Sequence, residues 1–135
     1  MVDETTLRDR VATRADHCCE YCRLPERWTS LPFQVDHIIA EKHDGETSFE
    51  NLAYACLHCN SFKGPNIAGR DQQSQTTVRL FDPRRENWHD HFQWDGAALR
   101  GRTPIGRATI AVLRVNLGYR VALRASLMEE GVFPL

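Results

Sequence analysis

The chain has 135 residues, 41% of them hydrophobic, and a formal net charge of -1, which is enough for one core without a partner. That balance excludes a wholly basic nucleic-acid coat, and no run approaches the ~20 apolar residues needed to span a bilayer. The start "MVDETTLRDR" also lacks the basic-then-apolar pattern of a secretory signal, so a soluble cytoplasmic protein without membrane contacts is expected.

Residues 3–16 are predicted to form a helix, capped by Asp3 or Thr5, with Leu7 and Val11 on one face. Arg23 to Pro32 carries two prolines and reads as a loop. Phe33 to Ile39 is the first strand, and it contains an unexpected pair: Asp36 and His37 interrupt an apolar run where an unpaired charge costs several kcal/mol, roughly. A polar excursion follows, with Gly45 available for a positive φ. "NLAYACLHCNSFKG" then reads as a short strand or turn feeding a helix that stops at Gly64-Pro65. "NIAGRDQQSQTT" reads as a polar linker, and Asp95-Gly96 marks a hairpin turn. Thr103 and Pro104 start one helix, and a second runs from about Tyr119 to Glu130, closed by Gly131.

Four of the five cysteines fall into two C-x2-C pairs, Cys19/Cys22 and Cys56/Cys59. In a chain without a secretory start this favours thiolates on a metal over disulfides, and the spacing suits tetrahedral zinc with Zn–S bonds of about 2.3 Å. Four sulfurs leave no open position, so such an ion is structural. The gap between the pairs exceeds the ~15–20 residues of a simple zinc ribbon, and it holds the Asp36-His37 pair. Cys18 reads as a packed free thiol, and His17, His43 and His58 as surface residues.

The order Cys19-x2-Cys22, Asp36-His37-Ile38, Asn51-Leu52, Cys56-x2-Cys59-Asn60 and Lys63 resembles the zinc-containing HNH endonucleases over about residues 7–64. "FDPRRENWHDHF" is similar to the tail of small stand-alone bacterial HNH proteins, while Asp44-Gly45 departs from the Gly-Gly common in that family. The resemblance implies a ββα-metal fold with His37 as general base, Asp36 and Asn60 as ligands of a catalytic Mg²⁺ or Mn²⁺, and Asn51 bracing the histidine loop. The chemistry agrees, since an imidazole titrates near pH 6.5 and hard cations take oxygen ligands. Adjacent strand residues face opposite ways, so the strand must end or bend at this pair for both to serve one site.

No Asp or Glu occurs from Gly96 to Met128, where Arg107, Arg114, Arg120 and Arg124 lie at helical spacing. These four, with Lys63, are predicted to face phosphates, since a merely soluble helix pair mixes in acids. Trp88, Phe92 and Trp94 are expected in the core, and His89 and His91 lack a third metal ligand.

The expected architecture is α+β. Residues 1–70 form an HNH core with structural zinc, and residues 71–135 form a hairpin and two Arg-rich helices packed on it. The expected activity is phosphodiester hydrolysis, with DNA the first candidate and a 5′ phosphate and 3′ hydroxyl as products, as the resemblance implies. No separate reading module is visible, so the expectation is weak specificity, recognition of an unusual nucleic-acid structure, or recruitment by a partner protein. The rivals are a non-catalytic zinc-stapled nucleic-acid-binding module and an RNA-cleaving toxin of the same fold.

Overall fold

The structure, a computed structural model, describes residues 6–135 and shows a mixed α+β chain. Among the described residues there are five helices and three separate two-stranded antiparallel sheets. None of these helices is long and apolar enough to cross a membrane.

Helix α1, Leu7–Arg14, starts at Thr6, whose hydroxyl accepts from the Asp9 N–H at 3.0 Å while the Asp9 carboxylate accepts from the Thr6 N–H at 3.4 Å. That reciprocal cap satisfies two end donors at once. The expected caps, Asp3 and Thr5, lie outside the described residues. Strand β1, Gln34–His37, pairs with β2, Leu52–Ala55, in a register that sets Asp36 opposite Ala53 and His37 opposite Leu52. β2 is buried along its whole length, so both its faces read as apolar. Helix α2, Leu57–Lys63, follows at once, with the Cys56 sulfur accepting from the Cys59 N–H as its cap.

The segment expected as a polar linker is instead a hairpin, β3 Ala68–Asp71 and β4 Thr76–Arg79. Its strands carry almost no apolar alternation, and they are placed by tertiary contacts. The later helix α4, Pro104–Leu113, packs on β3, where Val112 meets Gly69, and Asp71 accepts two bonds from Arg107, at 2.9 Å each. Arg107 holds the Asp71 carboxyl well below the usual carboxylate range. A one-turn helix, α3 Trp88–His91, precedes the expected hairpin β5 Phe92–Asp95 and β6 Ala98–Gly101. The turn at Asp95-Gly96 has the positive φ, 58°, that only glycine adopts freely.

Helices α4, Pro104–Leu113, and α5, Gly118–Glu129, match the predicted pair, with Thr103 capping α4 through the Gly106 N–H. A Cβ on Gly106 would lie 2.1 Å from the His91 carbonyl oxygen, so the glycine is what lets α4 press against α3. One apolar cluster contains Val11, Tyr21 and Phe33 from the first half together with Phe81, Phe92, Leu113 and Leu127 from the second. Trp88 and Phe92 are buried, and Trp94 packs at its edge.

Candidate active site and metal centre

Cys19, Cys22, Cys56 and Cys59 bring their sulfurs within 4.8 Å of one another, all buried. A tetrahedral ion with 2.3 Å bonds needs sulfurs about 3.8 Å apart, and Cys22 Sγ to Cys56 Sγ is 3.8 Å. Each knuckle is shaped by its second cysteine, whose N–H points at the first sulfur: Cys22 to Cys19 and Cys59 to Cys56, both at 3.4 Å. Hydrogen bonds from the other three sulfurs hold the Cys22 thiol well below its ordinary value. Burial pushes Cys19 well up, and bonding among the thiols does the same to Cys59. Four buried sulfurs this close together suit a soft divalent cation, and the residues therefore fit zinc. Cys18 stands apart, buried, with its sulfur 3.5 Å from the Asp16 carbonyl.

Strand β1 ends at His37. Its imidazole Nε2 lies 2.8 Å from Thr47 Oγ1 and 3.5 Å from Glu41 Oε1, and its side chain is 24% exposed. The loop beyond is pinned by Asn51. Its amide oxygen accepts from the Ile39 N–H at 3.0 Å, and its NH₂ donates to the carbonyls of Ile39 and Glu46 at 2.9 and 2.8 Å. Positive φ falls on Asp44, at 66°, rather than on Gly45 as expected. Asp tolerates that conformation at modest cost. Gly45 is needed for a different reason, because a Cβ there would sit 1.7 Å from the Ile39 carbonyl oxygen.

Asp36 faces inward, 4% exposed. Tyr21 donates its hydroxyl to Oδ2 at 2.7 Å, and the Lys63 ammonium reaches Oδ1 at 3.3 Å and Oδ2 at 3.2 Å. Lys63 also donates to the carbonyls of His37 and Ile38 at 3.0 and 3.2 Å. Burial raises the Asp36 pKa, with Lys63 and Tyr21 opposing that shift. Asn60, half-buried, stands one turn before Lys63 on α2, hence on the same side of the helix.

Lys63, expected to face a phosphate, is instead buried. At 1% exposure its charge is consumed by Asp36 and two carbonyls at the end of β1. Lys63→Met should therefore cost about 3–5 kcal/mol at pH 7, because a buried carboxylate loses its counter-charge. Removing the lysine raises the Asp36 pKa further. The deficit should thus shrink as pH falls and Asp36 takes up a proton, and grow as pH rises. Urea melts at two pH values check this, and a deficit equal at both would contradict the pairing.

Three of the four tail arginines are likewise spent internally. Arg107 grips Asp71. Arg120, 9% exposed, donates to Cys56 Sγ at 3.3 Å and lies 3.9 Å from Cys22 Sγ. Arg124, 1% exposed, donates to the carbonyls of Ala97 and Val115 and to the Asn116 amide oxygen, at 2.8, 3.0 and 3.1 Å. Arg114 is exposed, with its guanidinium over the Phe62 ring. The missing acids of Gly96 to Met128 therefore reflect guanidiniums that meet an acid or sulfurs outside that segment, as Arg107 and Arg120 do, or uncharged oxygens within it, as Arg124 does. His58 was also expected at the surface. It is buried, with Nε2 donating to the Arg114 carbonyl at 2.9 Å and the Tyr119 hydroxyl against Nδ1.

Tyr21, Glu41 and Thr47 were missed in the sequence. Only Tyr21 carried a signal, since it sits inside the first knuckle. A cleft of about 530 Å³ opens beside the histidine loop, lined by Ile38, Gly45, Asn51, Lys63, Arg79 and Arg85. Neither that cleft nor a more apolar groove of about 500 Å³, with Trp28, Leu57, Phe62 and Tyr119, is lined by Asp36, His37 or Asn60.

Residues 19–66 match the HNH endonuclease family model. The match spans both knuckles, β1, β2 and α2, just over a third of the chain. HNH endonucleases hydrolyse nucleic acids, so this region points to nuclease activity or nucleic-acid binding. The search of curated proteins found no match, and neither did the search of solved structures.

Proposed function

We propose that the β1–β2–α2 unit of the HNH region is a ββα-metal nuclease core that hydrolyses phosphodiester bonds, in DNA before RNA. The observation that carries this reading is His37. It closes a strand inside the HNH match, its ring is held by Thr47, and Asn51 fixes the backbone just after it. The imidazole takes the proton of the attacking water, and Glu41, 3.5 Å from Nε2, stabilises the imidazolium that results. Asp36 and Asn60 offer the oxygen donors that Mg²⁺ or Mn²⁺ prefers, and such an ion, when bound, supplies Lewis-acid stabilisation of the phosphate. The four-cysteine zinc is structural and takes no part in the chemistry. Of the four tail arginines, Arg114 is the proposed phosphate contact, because it is the exposed one whose charge is not paired with Asp71, the sulfurs or buried carbonyls.

One observation favours the second reading, a non-catalytic nucleic-acid-binding module: both Asp36 oxygens are already engaged by Lys63 and Tyr21. The deciding experiment incubates zinc-loaded protein with plasmid DNA, linear DNA and RNA, each with Mg²⁺ or Mn²⁺. Cleavage of DNA supports the enzyme reading. Binding without cleavage under every condition supports the module, and cleavage of RNA alone supports the toxin-like alternative.

A further inference from the structure

The second half of the chain reaches back into the metal centre at two points. Arg120, on α5, directs Nη2 at the sulfurs of Cys56 and Cys22. His58, inside the second knuckle, is bonded to Tyr119 and to the carbonyls of Leu113 and Arg114. Four thiolates around a divalent ion leave a net charge of -2 in a site where every sulfur is buried, and such a surplus is costly unless a cation or N–H donors offset it. The knuckles supply backbone N–H donors at 3.4 Å. Arg120 is the charged donor that reaches the sulfurs, and its own burial is otherwise hard to explain.

We propose that Arg120 is a positioning residue of the zinc centre, an outer-sphere charge partner of Cys56 and Cys22, so that retention of the ion depends on α5 being docked. Zinc affinity is then a property of the whole chain, although all four ligands lie in the first half. Outer-shell partners of this kind change metal affinity by about 10–100-fold when removed. The inference concerns metal retention and stands whether or not the HNH region cleaves nucleic acid.

Two variants of the full chain test it. Arg120→Met keeps the apolar stem and removes the charge, and Arg120→Lys keeps a charge on a shorter arm. Zinc transfer to excess EDTA is followed at fixed pH with a colorimetric zinc indicator. The methionine chain should lose zinc at least about 10-fold faster than the unaltered protein, and the lysine chain should fall clearly closer to the unaltered rate. Failure of the methionine chain alone to fold with zinc, while the lysine chain holds it, also supports the proposal. Equal rates for the unaltered and methionine chains, or equal behaviour of the two variants, would overturn it, because simple loss of packing does not distinguish charge.

Discussion

Cys59→Ser is expected to strip the zinc and remove the cooperative melt of the HNH region. Cys59 is fully buried, its sulfur is one of four within 4.8 Å, and it lies in α2 directly before Asn60 and about one turn before Lys63. Structural zinc contributes an apparent ~10–16 kcal/mol in small zinc-dependent folds, and that binding energy is folding energy. The whole stability of a domain this size is about 5–15 kcal/mol, so the loss exceeds what the apolar cluster holds in reserve. Circular dichroism melts with metal analysis would check this. A variant that melts at the original temperature with no zinc bound would show the cysteines to be ordinary core residues.

His37→Ala should lower the cleavage rate by roughly 10²- to 10⁴-fold, the usual worth of a general base. The fold should barely notice. The ring is partly exposed, and its Thr47 contact is a hydrogen bond worth about 1 kcal/mol net. The informative result is this division: turnover collapses while melting temperature, zinc content and nucleic-acid affinity stay close to those of the unaltered chain. Equal activity of the two proteins would transfer the chemistry away from His37. A parallel fall in zinc content would mark the residue as structural.

The parts legible in the sequence were those written in local code. Two C-x2-C spacings foretold the sulfur cluster, Thr103-Pro104 foretold the start of α4, and Asp95-Gly96 foretold a turn. The β3–β4 hairpin was not legible because its strands are polar and their place is set by α4, more than 30 residues away in the case of Asp71 and Arg107. The tail arginines misled for a related reason. Composition reports that charge is present, and only the fold reports what that charge touches, as with Arg124 on the carbonyls of Ala97 and Val115. Lys63 shows the same at the candidate site: its spacing from Asn60 was readable, but its insertion beneath β1 needed the packed helix.

Tyr21 belongs to the first knuckle by its backbone and to Asp36 by its hydroxyl, with its ring fully buried between the two. It works as a rigid strut joining the sulfur cluster to the carboxylate. A reagent that loosens the knuckle would move the far end of that strut, and Asp36 would register the damage although nothing had touched it.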